Sequence, residues 1–319
     1  MTARQAITVA TPVLPEKMID RLAAQFALNA PPTAPMPAAE AVADARRRGA
    51  QALLVSVQNR LDAAAIDALP DTLRIIATVS VGTDHIDLAA AARRGIVVSN
   101  TPGVLDACNA DLTWLLILGA ARRAAEAMDY IRRGTALCPL LGTRVSGRSL
   151  GIWGMGRIGR EVARRATGFG MQVLYHNRNR LPPQGEQGAL FCPDRADFLA
   201  RSQILTLHMP ASAATDGIID AGVFAALPPG AIFINAARGS LVDEDALLAA
   251  LGSGHLAGAG LDVFRNEPDL DPRLSNHPRI FALPHIGSAT VETRGAMAAM
   301  AIDNVEAVLS GAPAPTAVT

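Results

Sequence analysis

Short apolar runs alternate with alanine-rich stretches along most of this chain, and that alternation restricts the fold class most strongly. AITVA, ALLVSV, RIIATV and GIVVSN in the first hundred residues are too short for helices. They are apolar at successive positions, as strands buried on both faces of a parallel sheet must be. Between them, residues 37–48 and 62–69 are rich in alanine, the strongest helix former. A second series follows: SLGIWG, QVLYH, QILTLHM, AIFINAA, LAGAGLDVF and RIFALPH. Strands alternating with helices predict an α/β chain. Long helices are expected over residues 110–132 and 290–309, one on either side of the second series. At 319 residues the chain exceeds one compact core and fits two domains. PPTAPMP, residues 31–37, is a surface connection too short to separate domains.

Within the second series, LGIWGMGRIG carries Gly154, Gly156 and Gly159 in the spacing of a dinucleotide-binding turn. The spacing alone is weak, but a strand is expected over 149–153 and a helix over 157–169, ended by Gly170. Two glycines then permit a tight turn and close approach to a pyrophosphate, and the third lets the helix pack on the sheet. The phosphates would lie at the helix N-terminus, so Gly154, Met155, Gly156, Arg157 and Ile158 are the expected contacts. The bland alternative is a tight turn that binds nothing.

An acidic residue about 20 positions further on usually holds the adenosine ribose. Here the next strand ends in YHNRNR instead, with Asn177, Arg178, Asn179 and Arg180 at the diagnostic place. A carboxylate would repel a ribose 2′-phosphate, and Asn177 removes that repulsion. Arg178 and Arg180 supply charge to pair with the phosphate, and Asn179 a further donor. The expected cofactor is therefore NADP, as NADPH, with NAD as the weaker alternative. Two arginines on a solvated turn are the competing explanation.

Composition excludes several function classes. A hydrophobic fraction of 50% with 18% charged residues describes a globular protein, and a formal net charge of zero gives no global field for nucleic acid or membrane. The longest apolar run, residues 112–121, stops at Arg122 and Arg123, short of a bilayer span. The N-terminus enters a strand pattern without an apolar signal core. Cys108, Cys138 and Cys192 are odd in number and widely spaced, as reduced cysteines in a cytoplasmic protein would be. His85, His176, His208, His255 and His277 form no close pair with metal-ligand spacing, so no metal is assigned.

Longer phrases carry a more specific signal: SVGTDHIDL at 80–88, NTPGVL at 100–105, GIWGMGRIGREVA, LHMP at 207–210, INAARGSLVDEDAL, GAGLDVFRNEP and LPHIGSAT. With these the chain resembles the D-isomer-specific 2-hydroxyacid dehydrogenase family, close to its glyoxylate/hydroxypyruvate reductase branch, over nearly its whole length. The resemblance implies two doubly wound parallel-sheet domains. A Rossmann nucleotide domain, residues 102–284, would be inserted into a flavodoxin-like substrate domain, residues 1–101 and 285–319.

The resemblance also places the chemistry on Arg238, Glu267 and His285. Reducing a 2-oxo acid brings hydride to the carbonyl carbon while a proton reaches its oxygen. Histidine titrates near neutral pH and suits the second task. Glu267 would hold one tautomer and favour the imidazolium. Arg238 would present its planar fork to the substrate carboxylate and polarise the carbonyl. Singly, each has a duller reading: a structural histidine, a helix-capping arginine, a solvated glutamate before Pro268. The backbone N–H groups of Val81 and Gly82 are implied to grip the carboxylate, with Ser288 adding a hydroxyl. His208, Pro210, Thr215, Ala236, Asp262, His285 and Gly287 complete the implied cofactor contacts, Asp262 accepting from the carboxamide.

The likeness implies a small 2-oxo acid as substrate, glyoxylate or hydroxypyruvate, with larger acids such as phenylpyruvate as the alternative. It also implies a homodimer formed through the nucleotide domain. One departure bears on substrate range. GTALCPLLGTRVSG, residues 134–147, stands where many relatives carry a tryptophan-bearing arm, and Trp114 and Trp153 are the only tryptophans. The loop SVQNRLD, residues 56–62, is expected to meet the substrate's C3 group. Two other classes share the fold: a nucleotide-sensing corepressor, and an enzyme acting on formate or phosphite. A phosphoglycerate dehydrogenase with a regulatory C-terminal domain is disfavoured, because the chain ends soon after Leu309.

Overall fold

A computed structural model describes residues 4–319. The chain divides into two compact units, one of residues up to Leu105 with Ser288–Thr319, the other Asp106–Gly287. The first holds β1 (Ala6–Val9), β2 (Ala27–Leu28), β3 (Ala52–Val55), β4 (Ile75–Thr78) and β5 (Val97–Ser99). They form one sheet in the order β2-β1-β3-β4-β5, every pair parallel. This is the flavodoxin-like winding. β3 and β4 are buried at every position, which is why ALLV and IIAT are apolar without alternation. Asp62 and Asp87 cap the helices Ala63–Asp67 and Leu88–Arg93 by accepting from Ala65 and Ala90 N–H. Thr290 caps the long helix Val291–Ser310 in the same way. The chain's end returns to the sheet edge, where Ala317 pairs antiparallel with Ser99 and Val318 N–H donates to Val98.

The second unit holds β6 (Ser149–Trp153), β7 (Gln172–His176), β8 (Leu190–Phe191), β9 (Ile204–Leu207), β10 (Ala231–Asn235), β11 (Leu256–Leu261) and β12 (Ile280–Ala282). Their order is β12-β11-β10-β9-β6-β7-β8, again all parallel. Counted from β6, this is the Rossmann order with one strand added at the end. The winding reverses between β6 and β9, the switch point at which such sheets bind ligands beyond their carboxyl ends. The helix Arg157–Ala166 continues as a 3₁₀ turn, Thr167–Phe169, and stops at Gly170 with φ +61°.

Two expectations are corrected. β2 and β8 did not emerge from the sequence, because each has two residues and shows no periodicity. The helix expected over 110–132 is two helices, Asp106–Ala121 and Ala124–Arg132, with Arg123 left-handed between them at φ +53°. The cause lies further along the chain. Thr143 N–H donates to the Ala121 carbonyl at 2.7 Å, taking the acceptor that a continuing helix would use. Gly142 lets that segment lie against Ala121 and Arg122, where any Cβ would meet backbone.

Candidate active site

The three glycines of the turn after β6 do three different things. Gly154 has φ +104°, and a Cβ there would lie 2.6 Å from the backbone carbon of His208, so the turn is pressed against the end of β9. Gly159 sits in the helix, where a Cβ would lie 2.6 Å from the Gly154 carbonyl oxygen. Gly156 is another matter: its φ of −82° suits any residue, and a Cβ there meets nothing within 4 Å. Nothing among the described residues requires glycine at 156, whereas a pyrophosphate lying close to the backbone would. Gly156 is also the N-cap and offers no side chain, so the first N–H groups of the helix, at Arg157 and Ile158, are uncapped donors. These residues fit a dinucleotide.

Met155 is fully buried, and its N–H donates to Asn177 Oδ1 at 2.7 Å. Asn177 therefore ties the end of β7 to the glycine turn, a role the sequence did not reveal. The arginines after it separate. Arg180 pairs with Glu186, its Nε 2.7 Å from Oε1, and the buried Tyr175 donates its hydroxyl to the same oxygen. Hydrogen bonds from Arg180 and Tyr175 hold the Glu186 carboxyl below its ordinary range. Arg178 and Asn179 are exposed and hydrogen-bond to no other described residue. Of the two expected phosphate partners, one is bound within the protein and the other is uncommitted.

At the end of β9, His208 Nε2 lies 3.0 Å from Thr206 Oγ1, and burial pushes the ring down to about 3, so it is neutral at pH 7. Pro210 is exposed in the following loop, and its carbonyl accepts from Thr215. Thr215 Oγ1 also accepts from Ser212 N–H, so this hydroxyl is engaged in its own turn.

The expected catalytic residues follow β10, β11 and β12. Beyond Ala236, Arg238 is extended and partly buried, with Nη1 donating to the Ala237 carbonyl at 2.7 Å. Its neighbour Gly239 touches the backbone of Phe264 and Arg265 so closely that no Cβ fits. That contact fixes the Arg238 loop against the loop leading to Glu267. Glu267 Oε1 accepts from Phe264 N–H at 2.8 Å, and Oε2 lies 2.6 Å from His285 Nδ1. One carboxylate is thus anchored to backbone by one oxygen and orients the imidazole with the other.

His285 itself is left-handed, with φ +53°, a conformation that is unfavourable for a residue with a Cβ. Such strain, of order 1–3 kcal/mol, persists only where the surroundings over-determine it. Asp262 supplies that constraint. It is 1% exposed and accepts from Ile286 N–H at 2.8 Å and Gly287 N–H at 2.9 Å. A Cβ at Gly287 would collide with the side chain of Asn109, so the loop packs closely there. Burial raises the Asp262 carboxyl to about 6, against the lowering effect of the two N–H bonds and His285. Asp262 thus holds the His285 loop.

In the first unit, Val81 and Gly82 follow β4 in a turn whose carbonyls are all engaged. Thr101 N–H donates to Ser80 O at 2.9 Å, Asn100 Nδ2 to Val81 O at 2.8 Å, and Ser80 Oγ to Gly82 O at 2.7 Å. The N–H groups of Val81 and Gly82 donate to no other described residue. The turn therefore offers donors and no acceptors, which suits an anion. Ser288 opens the returning segment of this unit, and its carbonyl accepts from Thr290 N–H. In the 56–62 loop, Asn59 is fully buried and binds Ser56 N–H and the Ala10 carbonyl, so it shapes the loop.

Comparison with known proteins agrees with this fold. Residues 114–287 match the family model for the NAD binding domain of D-isomer specific 2-hydroxyacid dehydrogenases. The chain is 39% identical to a glyoxylate reductase of Thermococcus gammatolerans, over 97% of this chain and 94% of that one. It is 38% identical to a glycerate dehydrogenase of Hyphomicrobium methylovorum, over 83% and 84%. Among solved structures, an NADPH-dependent glyoxylate/hydroxypyruvate reductase of Sinorhizobium meliloti, in complex with NADP and malonate, superposes with TM-score 0.88. That pair is 36% identical and covers 99% of this chain and 97% of the other.

Proposed function

Because the chain belongs to the D-isomer specific 2-hydroxyacid dehydrogenase family, we propose that it reduces glyoxylate and hydroxypyruvate to D-2-hydroxy acids with NADPH. The observation that carries this reading is the 2.6 Å pair of His285 Nδ1 and Glu267 Oε2 on a strained, braced loop. NADPH, when bound, supplies the hydride. His285 donates the proton from Nε2 to the carbonyl oxygen, and Glu267 keeps the other ring nitrogen protonated throughout, so the ring neither turns nor changes tautomer. Arg238 pairs with the substrate carboxylate and draws charge toward the developing alkoxide. Val81 and Gly82 N–H groups add to the carboxylate grip.

Preference for NADPH rests on Asn177, which brings no charge to the ribose position, and on Arg178, whose guanidinium has no competing partner among the described residues. Arg180 contributes only at long range, since Glu186 occupies its fork. A homodimer is supported by Leu115, Leu118, Met128, Ile131, Leu137 and Leu141, large apolar side chains exposed on one stretch of the second unit. Light scattering should return the mass of two chains.

The functional test is direct. Purified protein should consume NADPH in the presence of glyoxylate, with a lower kcat/KM for NADH. Reduction of NADP by formate or phosphite, with no reduction of any 2-oxo acid, would overturn the assignment.

A further inference from the structure

We infer that His85 and Thr316 are positioning residues for the carboxylate grip, each acting through a hydrogen-bonded chain on the Ser80–Gly82 turn. The inference rests on the reading above that this turn binds the substrate carboxylate. The first chain is buried. His85 Nε2 lies 2.9 Å from Thr78 Oγ1, Thr78 Oγ1 lies 2.8 Å from Ser80 Oγ, and Ser80 Oγ lies 2.7 Å from the Gly82 carbonyl. His85 is 6% exposed, Thr78 0% and Ser80 4%.

The direction of this chain follows from its far end. A carbonyl only accepts, so the single hydroxyl proton of Ser80 goes to Gly82. Thr78 must then donate to Ser80, which leaves Thr78 as acceptor toward the imidazole. His85 Nε2 therefore carries a proton. The histidine donates into this chain, and its removal leaves two buried hydroxyls free to reverse and release the Gly82 carbonyl.

The second chain enters from the end of the polypeptide. Thr316 Oγ1 donates to the Asn100 carbonyl at 2.6 Å, and Asn100 N–H donates to the Thr316 carbonyl at 3.3 Å. Asn100 Nδ2 in turn holds the Val81 carbonyl. Thr316 is itself fixed by Asn304, fully buried in the last helix, which accepts from Thr316 N–H and donates to Thr316 Oγ1. Two remote side chains thus each determine the orientation of one peptide group of the turn. The Val81 carbonyl shares its peptide with the Gly82 N–H, so rotation there would replace a donor to the carboxylate by a repulsive acceptor. The Gly82 carbonyl belongs to the next peptide, and its release would free the backbone angle of Gly82 that aims the same N–H.

The test uses His85→Phe and Thr316→Val, with His85→Gln and Thr316→Ser as conservative counterparts that retain the donating group. Steady-state kinetics with glyoxylate are paired with calorimetric titration of oxalate into the NADP-loaded protein. His85→Phe and Thr316→Val should each raise the KM for glyoxylate and the Kd for oxalate by roughly 5- to 20-fold, the loss of about one hydrogen bond to charge. Values of kcat and the KM for NADPH should stay within about twofold, and the Gln and Ser variants should restore the grip, which a general loss of structure would not allow. In the unmutated protein, nitrogen NMR should find His85 protonated at Nε2. Unchanged oxalate affinity in both disruptive variants, no oxalate binding by the unmutated protein, or an unprotonated Nε2 would overturn the inference. Should the unmutated protein reduce no 2-oxo acid while oxalate binding still weakens in the variants, the proposed reaction fails and the positioning role stands.

Discussion

The two units each end a central strand in a turn that presents backbone N–H groups, and they build it in opposite ways. After β6, backbone shape does the work: Gly154 takes a left-handed angle, Gly159 allows close packing, and Gly156 leaves room. After β4, side chains do it: Ser80, Asn100 and the Thr101 backbone engage the carbonyls so that only donors remain. A pyrophosphate is long and needs backbone cleared from its path, which glycine provides. A carboxylate is small and needs two N–H groups held at one angle, which a fixed network provides. Under the proposed function, the difference would separate cofactor binding and chemistry, in the second unit, from ground-state grip, in the first.

The sharpest way to break that separation is at His285. His285→Ala should lower kcat by roughly 10²–10⁴-fold, the range for losing a general acid, with the KM for NADPH nearly unchanged. Stopped-flow hydride transfer would measure it, and a variant that changed only the KM for glyoxylate would assign His285 to grip. Next in size is the arginine pair. Arg178→Ala should weaken NADPH by roughly 10- to 100-fold and leave NADH almost unaffected, because one or more charged hydrogen bonds of about 1.5–3 kcal/mol are lost. Arg180→Ala should have a smaller effect on NADPH and should loosen the Glu186–Tyr175 corner instead. Equal losses for NADPH and NADH in Arg178→Ala would refute the phosphate role.

Legibility from the sequence follows the same division. The glycine turn could be read because its constraints are local: strand, spacing and helix follow one another within twenty residues or so. Apolar runs likewise locate the strands, whereas Arg238, Glu267 and His285, which follow β10, β11 and β12, were assigned only through the resemblance. The turn after β4 was visible only through a resemblance. Its partners Thr78, Ser80, His85 and Asn100 follow no recognised spacing, Thr316 lies at the far end of the chain, and His85 was weighed only as a metal ligand. The break at Arg123 escaped for that reason too, because its cause is Thr143. Asn177 and Arg180 were read with Arg178 and Asn179 as one phosphate-binding stretch, whereas hydrogen bonds to Met155 and Glu186 give each a structural role that composition cannot express.

Asp262 offers a test of how firmly the chemical loop is held. Its folded pKa, about 6, lies above the ordinary 3.8, so folding favours the protonated form. The native state then binds more protons than the unfolded state between about pH 4 and pH 6, and stability from this group falls as pH rises through that window. Asp262→Asn does not titrate and provides one carbonyl oxygen for two N–H groups. It should be less stable overall, but its deficit should shrink with rising pH, by on the order of 2 kcal/mol between about pH 4 and pH 7. Denaturant midpoints of both proteins across that range measure it. A pH-independent difference would mean that Asp262 is ionised throughout and that its two N–H bonds outweigh its burial.

The smallest effects should come from the glycines, and they bear most directly on the difference between the two turns. Alanine at 154 and at 156 differ by one methyl group in each case, yet the structure requires opposite outcomes. At 154 the new Cβ meets the backbone after β9 and the left-handed angle penalises it, so Gly154→Ala should lose stability by roughly 1–3 kcal/mol. At 156 the angle is already acceptable and the space is open, so Gly156→Ala should gain about 0.4–1 kcal/mol by restricting the unfolded chain. The same methyl should nevertheless weaken NADPH and NADH alike, roughly tenfold, because the pyrophosphate is common to both and the crowding costs about 1–3 kcal/mol. Thermal melts without cofactor and titrations with each cofactor separate the two quantities. A Gly156→Ala protein that is more stable and binds both cofactors as before would show that the opening at 156 is not where the pyrophosphate lies.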